Sequence, residues 1–135
     1  MWGIDVNDDG IVVGGVNQAS ARGMVYTFSF EEALSPSDRA NWSVFSLSKL
    51  FPENTTWIQG VCRGEGGVVY AVGRESREGW GIVVRSKDNG ATWEDISPYP
   101  QGASKSSLED AYRCHVTSDG VMVAGAAGMF AVYKD

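Results

Sequence analysis

The chain contains the same pattern three times, and no other feature restricts its fold as much. "NDDGIVVGG" (7–15) aligns without a gap on "TSDGVMVAG" (117–125), pairing Asp9 with Asp119, Gly10 with Gly120 and Gly15 with Gly125. Between them "GEGGVVYAVG" (64–73) has the same form: a glycine-bearing turn, a β-branched run and a closing Gly73. Each copy is preceded by an apolar segment with an aromatic near its start ("WGIDV", "WIQGVC", "AYRCHV") and followed by a third ("GMVYTFSF", "GWGIVVRS", "GMFAVYK"). Short β-branched runs bounded by Gly, Asn, Asp and Ser are the signal of hairpins. The first two copies continue into a fourth run, "NWSVFSL" and "TWEDIS". The unit is therefore a four-stranded antiparallel meander, and eleven strands are expected. Gly15 and Gly73 are 58 residues apart and Gly73 and Gly125 are 52. These periods are slightly longer than the ~40–50 residues of propeller blades. The reading is all-β and propeller-like: a single domain, 1–135, divided into blade 1 (1–50), blade 2 (51–104) and a partial blade 3 (105–135).

Composition agrees with strands and tight turns. The 135 residues include 17 glycines, five each of Trp, Tyr and Phe, and many valines. Helix signals are confined to Glu31 to Leu34, limited by Pro36, and to a short turn capped at Ser106 or Ser107. Seventeen acidic against 11 basic residues give a charge of -6, which repels phosphate backbones and anionic membranes. No nucleic-acid or membrane partner is expected. No apolar run approaches the roughly 20 residues of a spanning helix. "MWGIDVNDDG" lacks the basic and apolar regions of a signal peptide. Compartment is left open, with the cytoplasm favoured. The two cysteines, Cys62 and Cys114, have no metal spacing; no metal or cofactor is expected.

"SKDNGATW" (86–93) is a turn built from residues with separate duties. Asp88 is short enough to accept hydrogen bonds from its own backbone. Gly90 supplies a positive φ. Ser86 closes the turn, and Trp93 folds back over it. A calcium loop would need further carboxylates where Lys87 and Ala91 stand. The spacing Ser86-x-Asp88-x-Gly90-x-x-Trp93 resembles the Asp box, or BNR repeat, of sialidases, the sortilin ectodomain and photosystem II stability factors. That resemblance implies a β-propeller in which this motif is a structural turn on the outer rim. The other copies have lost it: the first keeps Ser29 and Trp42 without an Asp-x-Gly.

The same resemblance raises a glycoside hydrolase of sialidase type, with three arginines holding the substrate carboxylate, a tyrosine–glutamate nucleophile and an aspartate acid/base. Here the arginines are Arg22, Arg39, Arg63, Arg74, Arg77, Arg85 and Arg113, none in the Arg-Ile-Pro context of those enzymes, and no catalytic residue carries over. The ungapped repeat register does place Asp5, Arg63 and His115 at one equivalent position on the inner strands. They are candidates to line a central channel and bind a ligand there, or to solvate it and pair with one another. Without a nucleophile they define no reaction class. Their neighbours Ile4, Cys62 and Cys114 read as apolar packing between blades, with free thiols rather than a redox pair. Trp2 and Trp57 begin inner strands and Trp42 and Trp93 outer ones, which argues for packing; Trp80 stands in a loop.

Propellers close at about four to eight blades. Three leave open faces and edges that invite association. Either a second copy completes the ring, making a homo-oligomer with a dimer preferred, or further blades lie outside this chain. The expected function is a non-catalytic binding or assembly module presenting loops such as "VNQASARG" and "GRESREGWG" and a channel mouth to a protein or glycan. A sialidase-like hydrolase or its remnant is the alternative, and a virion structural component a third reading.

Overall fold

Alternation of β-branched and small residues, interrupted every few positions by Gly, Asp and Asn, folds into successive hairpins. The computed structural model describes residues 3–17, 22–29, 43–52, 55–75, 79–103, 106–125 and 130–134. Among these residues eleven strands occur in chain order: β1 Gly3–Asn7, β2 Gly10–Asn17, β3 Arg22–Phe28, β4 Ser43–Ser46, β5 Thr56–Arg63, β6 Val69–Glu75, β7 Trp80–Ser86, β8 Glu94–Asp95, β9 Ala111–Thr117, β10 Gly120–Gly125 and β11 Phe130–Lys134. They form three antiparallel sheets, each pairing neighbours in sequence: β1-β2-β3-β4, β5-β6-β7-β8 and β9-β10-β11. We call these sheets 1, 2 and 3.

Sheet 2 is the middle layer. One of its faces buries Ile58, Val61, Val69 and Val84 against Val12, Val25 and Phe45 of sheet 1. The other buries Cys62, Tyr70, Val72 and Val83 against Val121 and Val123 of sheet 3. The first strand of each sheet lies beside the next, β1 against β5 and β5 against β9. Glycine makes this approach possible: a Cβ on Gly3 would stand 3.2 Å from Gly60 Cα, and one on Gly60 would stand 2.6 Å from Tyr112 O. Between β4 and β5 a short 3-10 turn, Leu47–Lys49, is capped by Ser46 and plugs the first core with the fully buried Leu47.

Three expectations change. Cys62 and Cys114 are not free thiols; they are disulfide-bonded across sheets 2 and 3, with Cα atoms 5.9 Å apart. The residues after Ser106 form no helical turn. Ser106 Oγ instead accepts from Leu108 N at 3.0 Å, and Glu109 bridges to Trp80, so the segment runs along sheet 2 as extended chain. Trp80 itself is a strand residue, half-buried opposite Glu75. The helical signal at Glu31 to Leu34, and Trp2, Trp42 and Arg39, lie outside the described residues.

Candidate functional site

The segment 86–93 joins β7 to β8 and is a closed hydrogen-bonded turn. Ser86 Oγ donates to Asp88 Oδ1 at 2.8 Å and accepts from Gly90 N at 2.8 Å. Asp88 Oδ1 also accepts from Thr92 N at 2.8 Å, and its Oδ2 takes the Thr92 hydroxyl. Trp93 Nε1 returns to Gly90 O at 3.0 Å. Hydrogen bonds from the Thr92 hydroxyl and amide and from Ser86 favour the ionised carboxyl, and Asp88 is held down at about 2. Asn89 and Gly90 both take positive φ, 56° and 90°. Gly90 is required twice over, since a methyl there would overlap Thr27 Oγ1 of β3. The Trp93 ring stacks on Phe45 of sheet 1, centroids 5.4 Å apart. The motif is thus a clasp between sheets 2 and 1, which spacing within a single turn does not reveal.

Asp5, Arg63 and His115 part company. Along β1, Asp5 faces sheet 2, and its Oδ2 accepts the backbone N–H of Arg63 at 2.8 Å. Arg63, only 6% exposed, faces back toward sheet 1 and donates from Nη2 to Asn89 Oδ1. Burial lowers its pKa, partly offset by Asp9 and Asp5. His115 pairs with Met122 and lies on the face of sheet 3 turned away from sheet 2, exposed. The reason is a phase change. β1–β2 and β9–β10 close directly, pairing Asn7 with Gly10 and Thr117 with Gly120, whereas β5–β6 pairs Arg63 with Val69 across a five-residue loop. A one-residue slip exchanges the faces of a strand. It turns Arg63 toward Asp5, and it also points Cys62 at Cys114. An ungapped repeat register carries no signal of it.

Two other places gather side chains from more than one sheet. At the ends of β1, β5 and β9 lies a cleft of about 460 Å³ lined by Asn7, Arg63, Gly64, Glu65, Val68, Val116, Thr117 and Ser118, with a contribution from every sheet. Asn7 Nδ2 donates to Gly64 O at 2.8 Å and fixes its wall. At the opposite ends of β5 and β9, Arg74 lies over the Trp57 ring at 4.3 Å and 3.7 Å from Asp110 Oδ2. The Tyr112 hydroxyl donates to the same oxygen at 2.7 Å, which raises the tyrosine pKa. Asp110 holds a positive φ of 46°. Neither grouping was singled out in the sequence: Asn7, Glu65 and Thr117 of the cleft do share a repeat position, two residues beyond Asp5, Arg63 and His115, whereas Arg74, Trp57, Asp110 and Tyr112 follow none. Of the loops expected to make contacts, residues 18–21 and 76–78 lie outside the described residues.

Among the described residues no His, Cys, Asp and Glu group of three or more has metal-site geometry, and no helix is long and apolar enough to cross a membrane. Compared with protein-family models and with curated proteins, the chain matches none.

Proposed function

We propose that the three sheets are consecutive blades of an Asp-box β-propeller, and that the protein is a non-catalytic module binding a protein or glycan at the mouth formed by its inner strands. Support for the propeller comes from three successive meanders stacked in chain order with their first strands adjacent. The observation that carries the binding reading is the 460 Å³ cleft, which all three sheets build together. It falls within the size range of ligand sites, and Val68 and Val116 give it apolar walls beside the polar Asn7, Thr117 and Ser118. The polar residues that a hydrolase reading would recruit are otherwise engaged: Asp5 holds the Arg63 amide, and Arg63 is buried against Asn89. The disulfide supports an oxidising compartment over the cytoplasm.

The test is capture by the immobilised chain on a glycan array and a peptide library, repeated with Ser118→Trp, which fills the cleft from an exposed position. Binding that falls at least about tenfold in the variant supports the assignment. Binding indifferent to the variant moves the site elsewhere. Turnover of fluorogenic glycosides, abolished by Asp5→Asn or His115→Ala, restores the enzyme reading.

A further inference from the structure

Within the chain, each sheet after the first buries the same side against the sheet before it. Sheet 2 does so with Val61, Val69 and Val84, and sheet 3 with Val116, Val121 and Val123. Sheet 1 has that side too, and none of the described residues covers it. Its register rows run Ile4–Val13–Tyr26–Val44 and Val6–Ile11–Phe28, without a charged residue. Ile4 is 59% exposed, and Val6 and Val44 are each 47% exposed. Such rows belong to a buried sheet face. At the other end of the stack, sheet 3 shows the side that sheets 1 and 2 each bury against their follower. There Met122 is 49% exposed beside Ala124, with Arg113 and His115 on the neighbouring strand.

We infer that these two faces are halves of one interface, and that a second copy of this chain joins head to tail, sheet 1 of each packing on sheet 3 of the other. This rests on the propeller reading. The internal seams supply the argument for the occupant, because both join the leading side of one sheet to the following side of the next. They use small residues as sockets: Gly14 and Gly23 of sheet 1 receive Ile58 of sheet 2. Sheet 3 offers the exposed Ala124 in the same role. Rows without charge have no means of choosing a partner by electrostatics, so shape inherited from the repeat is the available selector there. Two copies make six sheets, inside the range at which such rings close, with two equal joints.

Sedimentation equilibrium of the oxidised chain should give twice the 14.5 kDa chain mass. Ile4→Glu alone and Met122→Glu alone should each be monomeric, because each spoils both joints. Mixing the two should restore a dimer, at least about tenfold weaker than the parent, through the one joint left intact. Val44→Lys, on the outer strand, replaces Ile4→Glu should the latter fail to fold by circular dichroism. A parent chain that stays monomeric at concentrations on the order of 100 µM overturns the inference. So does a Met122→Glu chain that still dimerises, the mark of sheet 1 packing on itself, or a mixture that stays monomeric. Ligand capture by the monomeric variants reads the cleft assignment separately, so failure of one does not mask failure of the other.

Discussion

The hydrogen bonds that Thr92 and Ser86 give to Asp88 favour its ionised form. Its folded pKa, about 2, lies below the ordinary 3.8, so the stability it contributes is present above about pH 4 and is lost as pH falls through about 2. Asp88→Asn should therefore melt below the parent at neutral pH, with the gap narrowing between about pH 4 and pH 2 in calorimetric scans. A gap that stays constant over that range would mean that shape, not charge, holds the turn. Asn89 makes a sharper case. Its positive φ of 56° is one that asparagine tolerates better than most residues but glycine adopts most freely, so Asn89→Gly alone would ease the backbone. Yet Asn89 Oδ1 is an acceptor for the buried Arg63 guanidinium, whose Nε and Nη1 make no hydrogen bond. An unpaired buried cation costs more than the strain it would relieve. Asn89→Gly should thus destabilise by about 1–3 kcal/mol in urea unfolding, and a stabilised variant would show that the backbone outweighs the guanidinium.

At the scale of the element, the turn after β7 matters because of where its tryptophan lands. Trp93 covers Phe45 of the neighbouring sheet at 5.4 Å and also bonds back to Gly90. Trp93→Ala should cost about 2–3 kcal/mol. In a double-mutant cycle with Phe45→Ala, a coupling of about 1 kcal/mol is expected, and additive losses would mean that the rings pack independently. The turn was legible in the sequence because Ser86, Asp88, Gly90 and Trp93 act within eight residues, where spacing determines contact. The strands were legible for the same reason: hairpin partners are neighbours in the chain, and Gly and Asp mark each reversal. The docking of Gly90 on Thr27 was not legible, since those residues are 63 positions apart and share no repeat register. Nor was the slip in β5–β6, where a loop of five residues replaces a direct turn and a bulge falls between Ile58 and Gly60. Hydropathy does not register it, because both faces of β5 are buried and either phase presents apolar residues.

Across the whole molecule the layers are unequally held. Among the described residues, sheet 2 is covered on both faces and sheets 1 and 3 on one each. Sheet 1 is fastened by the tryptophan clasp and by the Asp5–Arg63 contact. Sheet 3 has the disulfide, which the sequence concealed because the two cysteines hold equivalent repeat positions and so were expected to point the same way. Its covalent link closes a loop of 52 residues between the last two layers, a constraint on the unfolded chain that chain entropy puts at about 4 kcal/mol. Removing it should act locally before it acts globally, since among the described residues sheet 3 has three strands and a single packed face. In hydrogen exchange by mass spectrometry, reduction or Cys62→Ser with Cys114→Ser should speed exchange in 111–117 and 120–125 first. Segments 22–28 and 69–75, buried in the seam between the first two sheets, should keep their protection under the same conditions. Uniform acceleration across all four would show that the three layers unfold as one unit. Unchanged exchange in 111–125 would show that apolar packing of Val121 and Val123 alone keeps the last sheet in place.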